Sequence, residues 1–188
     1  MVPSIEGKKA EREAVLEVAK LMALAARTAP KTAGVDDVVS LIVYGSDKNA
    51  IAEKMGEIAA GQKKLEGFRR DAKNVMDSEA VILMGLRQNR SVGLNCGACG
   101  FKKCADFDKT KKKLGKDFEG PRCFFKCLDL GIALGSAVKI AGILNVDNRI
   151  MYRIGAAAMK LKLLKDVAII IGIPISASGK NIYFDRGR

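Results

Sequence analysis

Val15, Val18, Ala19, Met22 and Ala25 recur at intervals of three and four, so Lys8 to Arg27 reads as an amphipathic helix with one apolar stripe. Pro30 and Gly34 end it. Val38 to Tyr44 is short, apolar and β-branched, which predicts a strand. Ser46 or Asp47 is placed to cap a helix carrying Ile51, Met55 and Ile58. A further helix is expected over Lys63 to Met76. Ala80 to Leu86 has no polar position, the pattern of a strand covered on both faces. Phe101 to Leu114 reads as a helix, and Cys123 to Leu144 as a long one of small and apolar residues. Gly131 and Gly135 each weaken that helix by about 1 kcal/mol relative to Ala, so they are expected where another backbone approaches. Asp147 or Asn148 should cap a last helix reaching about Leu164, and Asp166 to Gly172 is the most apolar strand. Strands separated by helices predict α/β or α+β layers.

Composition narrows the class. The chain has 188 residues, 48% of them hydrophobic, which fits one domain over 1–188 with its own core. The longest apolar run, Val167 to Ala177, contains Pro174 and is too short for a membrane span. The N-terminus shows no apolar segment after its charges, so a cytoplasmic location is expected. Five cysteines cannot all pair within one chain, and a reducing compartment favours metal-bound or free thiols.

The net charge is +12. No nucleic-acid motif or aromatic stacking platform accompanies it, so the ordinary reading is a lysine-rich surface. The charge is unevenly placed, however. Lys102, Lys103, Lys109, Lys111, Lys112, Lys113 and Lys116 all fall between the second and fourth cysteines, the last five of them after the third. A collar of this kind would steer an acidic redox partner protein of ferredoxin or flavodoxin type.

The cysteines are spaced Cys-x2-Cys-x4-Cys-x18-Cys from Cys96 through Cys99 and Cys104 to Cys123. Three thiols on one loop can hold three corners of a cluster, and a fourth must close the site from another element. Gly97 and Gly100 permit the backbone such a loop needs. The chain has no histidine, which removes the usual nitrogen ligand and the usual proton shuttle. A structural zinc site is the competing reading, but zinc ordinarily uses two separate Cys-x2-Cys knuckles, and here the second pair is Cys123-x3-Cys127. The 3+1 arrangement fits a [4Fe–4S] cluster better. Cys127 reads either as a neighbour of the cluster or as a small buried hydrophobe. No acid–base constellation is visible. Asp129, Asp147 and Asp166 fall at element ends, where capping accounts for them.

Asn95-Cys-Gly-Ala-Cys-Gly-Phe-Lys-Lys-Cys-Ala-Asp-Phe, followed by Gly120-Pro-Arg-Cys123, resembles the [4Fe–4S] domain of Rnf-type electron-transport subunits and of the corrinoid iron–sulfur protein. That resemblance implies Cys96, Cys99, Cys104 and Cys123 as ligands, with Cys127 an addition to the pattern. A second resemblance is to FMN-dependent nitroreductases. It rests on Ala25-Ala-Arg-Thr-Ala-Pro-Lys-Thr-Ala-Gly, on the Ala-Leu-Gly-Ser run Ala133 to Ser136, on Gly172-Ile-Pro174 and on the order of elements. It implies an α+β, three-layer α/β/α scaffold with an inserted iron–sulfur loop over 91–127. It also implies FMN as a cofactor and a homodimer. The Arg-rich N-terminal segment that contacts the FMN phosphate in that family has no counterpart here, so Arg27, Lys31, Lys180 and Arg186 are the candidate phosphate contacts. The combination is similar to uncharacterised prokaryotic proteins described as containing a ferredoxin domain, and implies a redox protein, with a flavin-linked oxidoreductase as its enzyme form.

Overall fold

The molecule is built on a four-stranded antiparallel sheet in the order β1-β2-β6-β5, seen in a computed structural model that describes residues 3–60, 65–87 and 90–184. Along the chain come α1 (Gly7–Thr28), a short 3-10 turn (Thr32–Gly34), β1 (Val38–Tyr44), α2 (Gly45–Ala59), α3 (Glu66–Met76) and β2 (Ala80–Arg87). Then follow α4 (Cys104–Lys109), the two-residue strands β3 (Lys113–Leu114) and β4 (Glu119–Gly120), α5 (Phe124–Ile143), β5 (Asp147–Asn148), α6 (Tyr152–Leu161) and β6 (Val167–Ser176).

β2 explains the layering. Every residue from Ala80 to Leu86 is buried, because both faces of the strand are covered. Ala80, Ile82, Met84 and Leu86 pack with Ile173 and Ile175 of β6 against α1 and α5. Val81 and Leu83 face the other way, into the core formed with α2, α3 and α6. The period-two alternation of one apolar strand thus supplies two cores, and the result is the α/β/α sandwich expected.

Several expectations change. The helix expected over Phe101 to Leu114 contracts to α4. Lys112 Nζ donates to the Phe107 carbonyl at its C-terminal end, and the next residues pair as the β3–β4 hairpin. Asp147 and Asn148 do not cap α6; they pair with Ser176 and Ile175 as the fourth strand. β6 runs past Gly172 through Pro174 to Ser176. The Gly172 N–H bonds Met151 O on the β5 side, and the nitrogen of Pro174 faces that same side two residues on. The donor that Pro174 lacks is therefore not one that β2 requires. The start expected for the helix before Met76 lies outside the described residues.

Close backbone approach occurs, but not at the glycines of α5. A Cβ on Gly131 or Gly135 would meet nothing within 4 Å. A Cβ on Gly155 of α6 would lie 1.6 Å from the Ile170 carbonyl oxygen, and one on Gly172 would lie 2.1 Å from Ile154 Cγ2. The tight contact is α6 on β6.

Candidate metal centre

The cysteine loop leaves the Arg87 end of β2 and runs irregularly to α4. Its backbone turns through left-handed conformations at Gly93, Asn95, Gly97 and Gly100. Three of these positions are glycine, and the fourth is asparagine, which tolerates that region better than most residues. Asn95 closes the loop on itself. Its side-chain oxygen accepts the Cys104 N–H at 2.8 Å, and its own N–H donates to Cys104 Sγ at 3.3 Å. Ser91 anchors the loop to α4, donating from N and Oγ to the Asp108 carboxylate at 2.7 and 2.9 Å. The Cys104 thiol is lowered below its ordinary pKa, first by the Ser91 hydroxyl and then by the Asn95 N–H. The Asn95 N–H favours the thiolate, the form that binds metal, while the Ser91 hydroxyl proton is given to Asp108.

Cys96 is exposed, Cys99 and Cys104 are half-buried, and Cys123 is buried at the entry to α5. Among the described residues, no three His, Cys, Asp or Glu side chains stand close enough together to hold a metal ion. The donors are thus presented from two elements rather than as a finished cage. Cys127 sits one turn into α5, its N–H bonded to Cys123 O at 3.1 Å. It packs against the α1–α5 core, and burial, then the neighbouring Cys123, raises its pKa.

The second cysteine element is fixed by charges the sequence did not advertise. Arg122, directly before Cys123, has a side chain only 5% exposed and donates from Nη2 to Glu119 Oε1 at 2.6 Å. Its Nε is buried and has no hydrogen-bond partner among the described residues. One turn into α5, Lys126 Nζ is buried and reaches Val35 O at 2.8 Å, Asp37 Oδ2 at 2.9 Å and Asp129 Oδ2 at 3.6 Å. Asp129 Oδ1 accepts both the N–H and the hydroxyl of Thr32, at 2.9 and 2.7 Å. Asp129 is therefore a buried partner of the α1–β1 connection, not a capping residue. Its sequence signal was its place one turn beyond Lys126 on an otherwise apolar helix.

A relative from Archaeoglobus fulgidus, described as an uncharacterized protein, is 49% identical over 179 residues and covers 95% of each chain. A sequence model of the family described as uncharacterized proteins containing a ferredoxin domain matches residues 119–186. The chain belongs to that family. The matched stretch holds Cys123 and Cys127, whereas Cys96, Cys99 and Cys104 lie before it. Among solved structures, an FMN-bound nitroreductase from Desulfitobacterium hafniense aligns with a TM-score of 0.58 at 12% identity, covering 87% of this chain and 78% of that one. Nitroreductase A from Vibrio parahaemolyticus aligns at 0.54 and 13% identity, covering 96% of this chain and 62% of that one. The family member described here thus has an α+β, nitroreductase-like scaffold.

The candidate phosphate contacts of this family member are dispersed. Lys31 Nζ is spent on the C-terminus of α1, donating to the carbonyls of Ala26 and Arg27 at 2.7 and 2.8 Å. Arg27 pairs with Asp36 at 2.6 Å, beside the Val38 end of β1. Lys180 follows the Ser176 end of β6, at the opposite end of the sheet. Arg186 lies outside the described residues. Of the lysine collar, Lys102, Lys103, Lys109, Lys111, Lys113 and Lys116 are exposed. Lys112 is drawn in over the Phe107 ring, 3.4 Å from its centre. No helix among the described residues is long and apolar enough to cross a membrane.

Proposed function

We propose that this chain is an iron–sulfur redox protein that carries electrons through a [4Fe–4S] cluster held by Cys96, Cys99, Cys104 and Cys123. The observation that carries the reading is the Asn95–Cys104 clamp. A loop whose asparagine both donates a backbone N–H to a thiol sulfur and accepts that cysteine's own N–H on its side chain is built to present a sulfur ligand rather than to fill a core. The donor set fits the group: four thiols, no histidine, and a buried cationic N–H left without a partner beside the fourth cysteine. The family description and the nitroreductase-like scaffold support a redox role. A bound cluster supplies one-electron transfer. The chain's own part is to hold thiolates, to hydrogen-bond their sulfurs and to keep one side of the site buried at Cys123.

A flavin is not part of this assignment. Of the described candidate phosphate contacts, Lys31 is already committed and Arg27 and Lys180 lie at opposite ends of the sheet within one chain, so these three do not gather a phosphate site of the kind needed for the FMN named for the Desulfitobacterium protein. The same reading gives the exposed lysines around the loop to an acidic redox partner of ferredoxin or flavodoxin type. It gives the exposed apolar face formed by Leu24, Phe124, Leu128, Ile132 and Ile143 to a second copy of the chain in a homodimer.

Anaerobic purification with iron, acid-labile sulfide, zinc and FMN quantified together tests the proposal. Iron and sulfide in equal amounts, with a brown colour bleached by dithionite, is the expected result. A colourless protein with one zinc would replace the cluster by a structural metal.

A further inference from the structure

Arg122 is the feature that the fold does not use up. A buried guanidinium N–H without an acceptor is destabilising, and native structures keep few such groups. Here the Nε of a side chain 5% exposed is unpaired, although Glu119 is close enough to pair with Nη2. The residue stands directly before Cys123, and its charge is felt at the Cys127 thiol and at Lys112. Lys112 in turn feels Cys99 from the other cysteine element. Two partly or wholly buried cations that sense each other therefore also sense cysteines of both elements, and the Glu119 carboxylate is paired with one of them. A group bound by four thiolates is anionic. It would provide the acceptor that Nε is missing.

We propose that Arg122 is a potential-setting residue of the cysteine-bound group. When the group is bound, its unpaired Nε–H would be available to donate to it, and its positive charge would stabilise the reduced form, which carries one more negative charge. Lys112 adds to the field from the Cys99 side, and Glu119 offsets it. This rests on the cluster reading above. It extends that reading from which residues bind to which residues decide how readily an electron is accepted.

The test uses the full-length holoprotein, with iron and sulfide quantified before a dithionite-linked redox titration read by visible absorbance. Arg122→Gln should retain its iron and sulfide, while its one-electron reduction equilibrium falls at least tenfold, which is 59 mV for one electron. Arg122→Lys should recover part of that shift, because it returns the charge without the planar donor fork. Glu119→Gln should move the equilibrium the opposite way, because it removes an anion and leaves Arg122 in place. Lys111→Gln, on the exposed collar, should move it least. An Arg122→Gln protein that loads iron but titrates with the wild type overturns the proposal. If Arg122→Gln fails to load, an unshifted Glu119→Gln protein overturns it instead. Wild-type protein without iron and sulfide would mark failure of the cluster reading itself, a different outcome seen before any titration.

Discussion

Lys126→Met tests how the entry to α5, and with it Cys123, is held in place. The substitution keeps most of the side-chain volume and removes only the ammonium. The structure states what would be left behind. The Asp37 carboxylate, 2.9 Å away, and the Asp129 carboxylate, 3.6 Å away, would lose their shared cation, and Val35 O would lose its donor. Lys126 and Asp129 are each 3% exposed, so water cannot replace the lost partner at Asp129, whereas Asp37, 18% exposed, is partly open to it. Removing one member of a buried ion pair destabilises by about 3–5 kcal/mol, most of it from the charge left uncompensated. For a chain of 188 residues, each kcal/mol lowers Tm by roughly 2–4 °C. The expected fall is therefore roughly 6–20 °C, read by thermal and urea unfolding of the purified protein. Adding Asp129→Asn to Lys126→Met should return part of the loss, since one of the stranded charges disappears. The coupling between the two sites should fall within about 0.5–3 kcal/mol. A Lys126→Met protein melting within a few degrees of wild type would refute the reasoning, as would strictly additive effects in the double variant. Either result would mean that solvent reaches this cluster or that the carboxylates find other partners.

Gly155→Ala should destabilise by about 1–3 kcal/mol or more, because the new Cβ meets the Ile170 backbone. Gly131→Ala, which meets nothing, should be neutral or gain about 0.5–1 kcal/mol, and equal melting temperatures for the two variants would contradict the packing described. Cys127→Ser should leave the iron content of anaerobically purified protein unchanged, because this thiol packs on the α1–α5 core; loss of most of the iron would make it a ligand. Burial raises the Glu79 carboxyl above its ordinary range, so its contribution to stability is present at low pH and is lost as pH rises through the folded value. Glu79→Gln should therefore gain in Tm relative to wild type as pH rises from 4 to 7, and a pH-independent difference would refute the assignment.

The apolar stripe of α1, the uninterrupted run of β2 and the dense cysteine loop were readable because each is a local pattern. A 3.6-residue period, a polar-free strand and three thiols in nine residues need no partner to be recognised. The sequence alone thus determined the main elements, a layered α and β architecture and a sulfur-rich site. Tertiary structure decided the rest, because the deciding partners are distant along the chain. Asp147 and Asn148 became a strand only because the end of β6 was there to pair with. Asp129 became a buried anchor because Thr32 lies 97 residues away in sequence and beside it in space. The glycines of α5 carried the stronger local signal, yet the close approach fell at Gly155, where α6 meets the Ile170 carbonyl. Arg122 looked like one more cation in a basic chain. Folding buried it beside Cys123 with one N–H unpaired, because burial and hydrogen-bond satisfaction are properties of assembled surroundings and not of spacing along a chain.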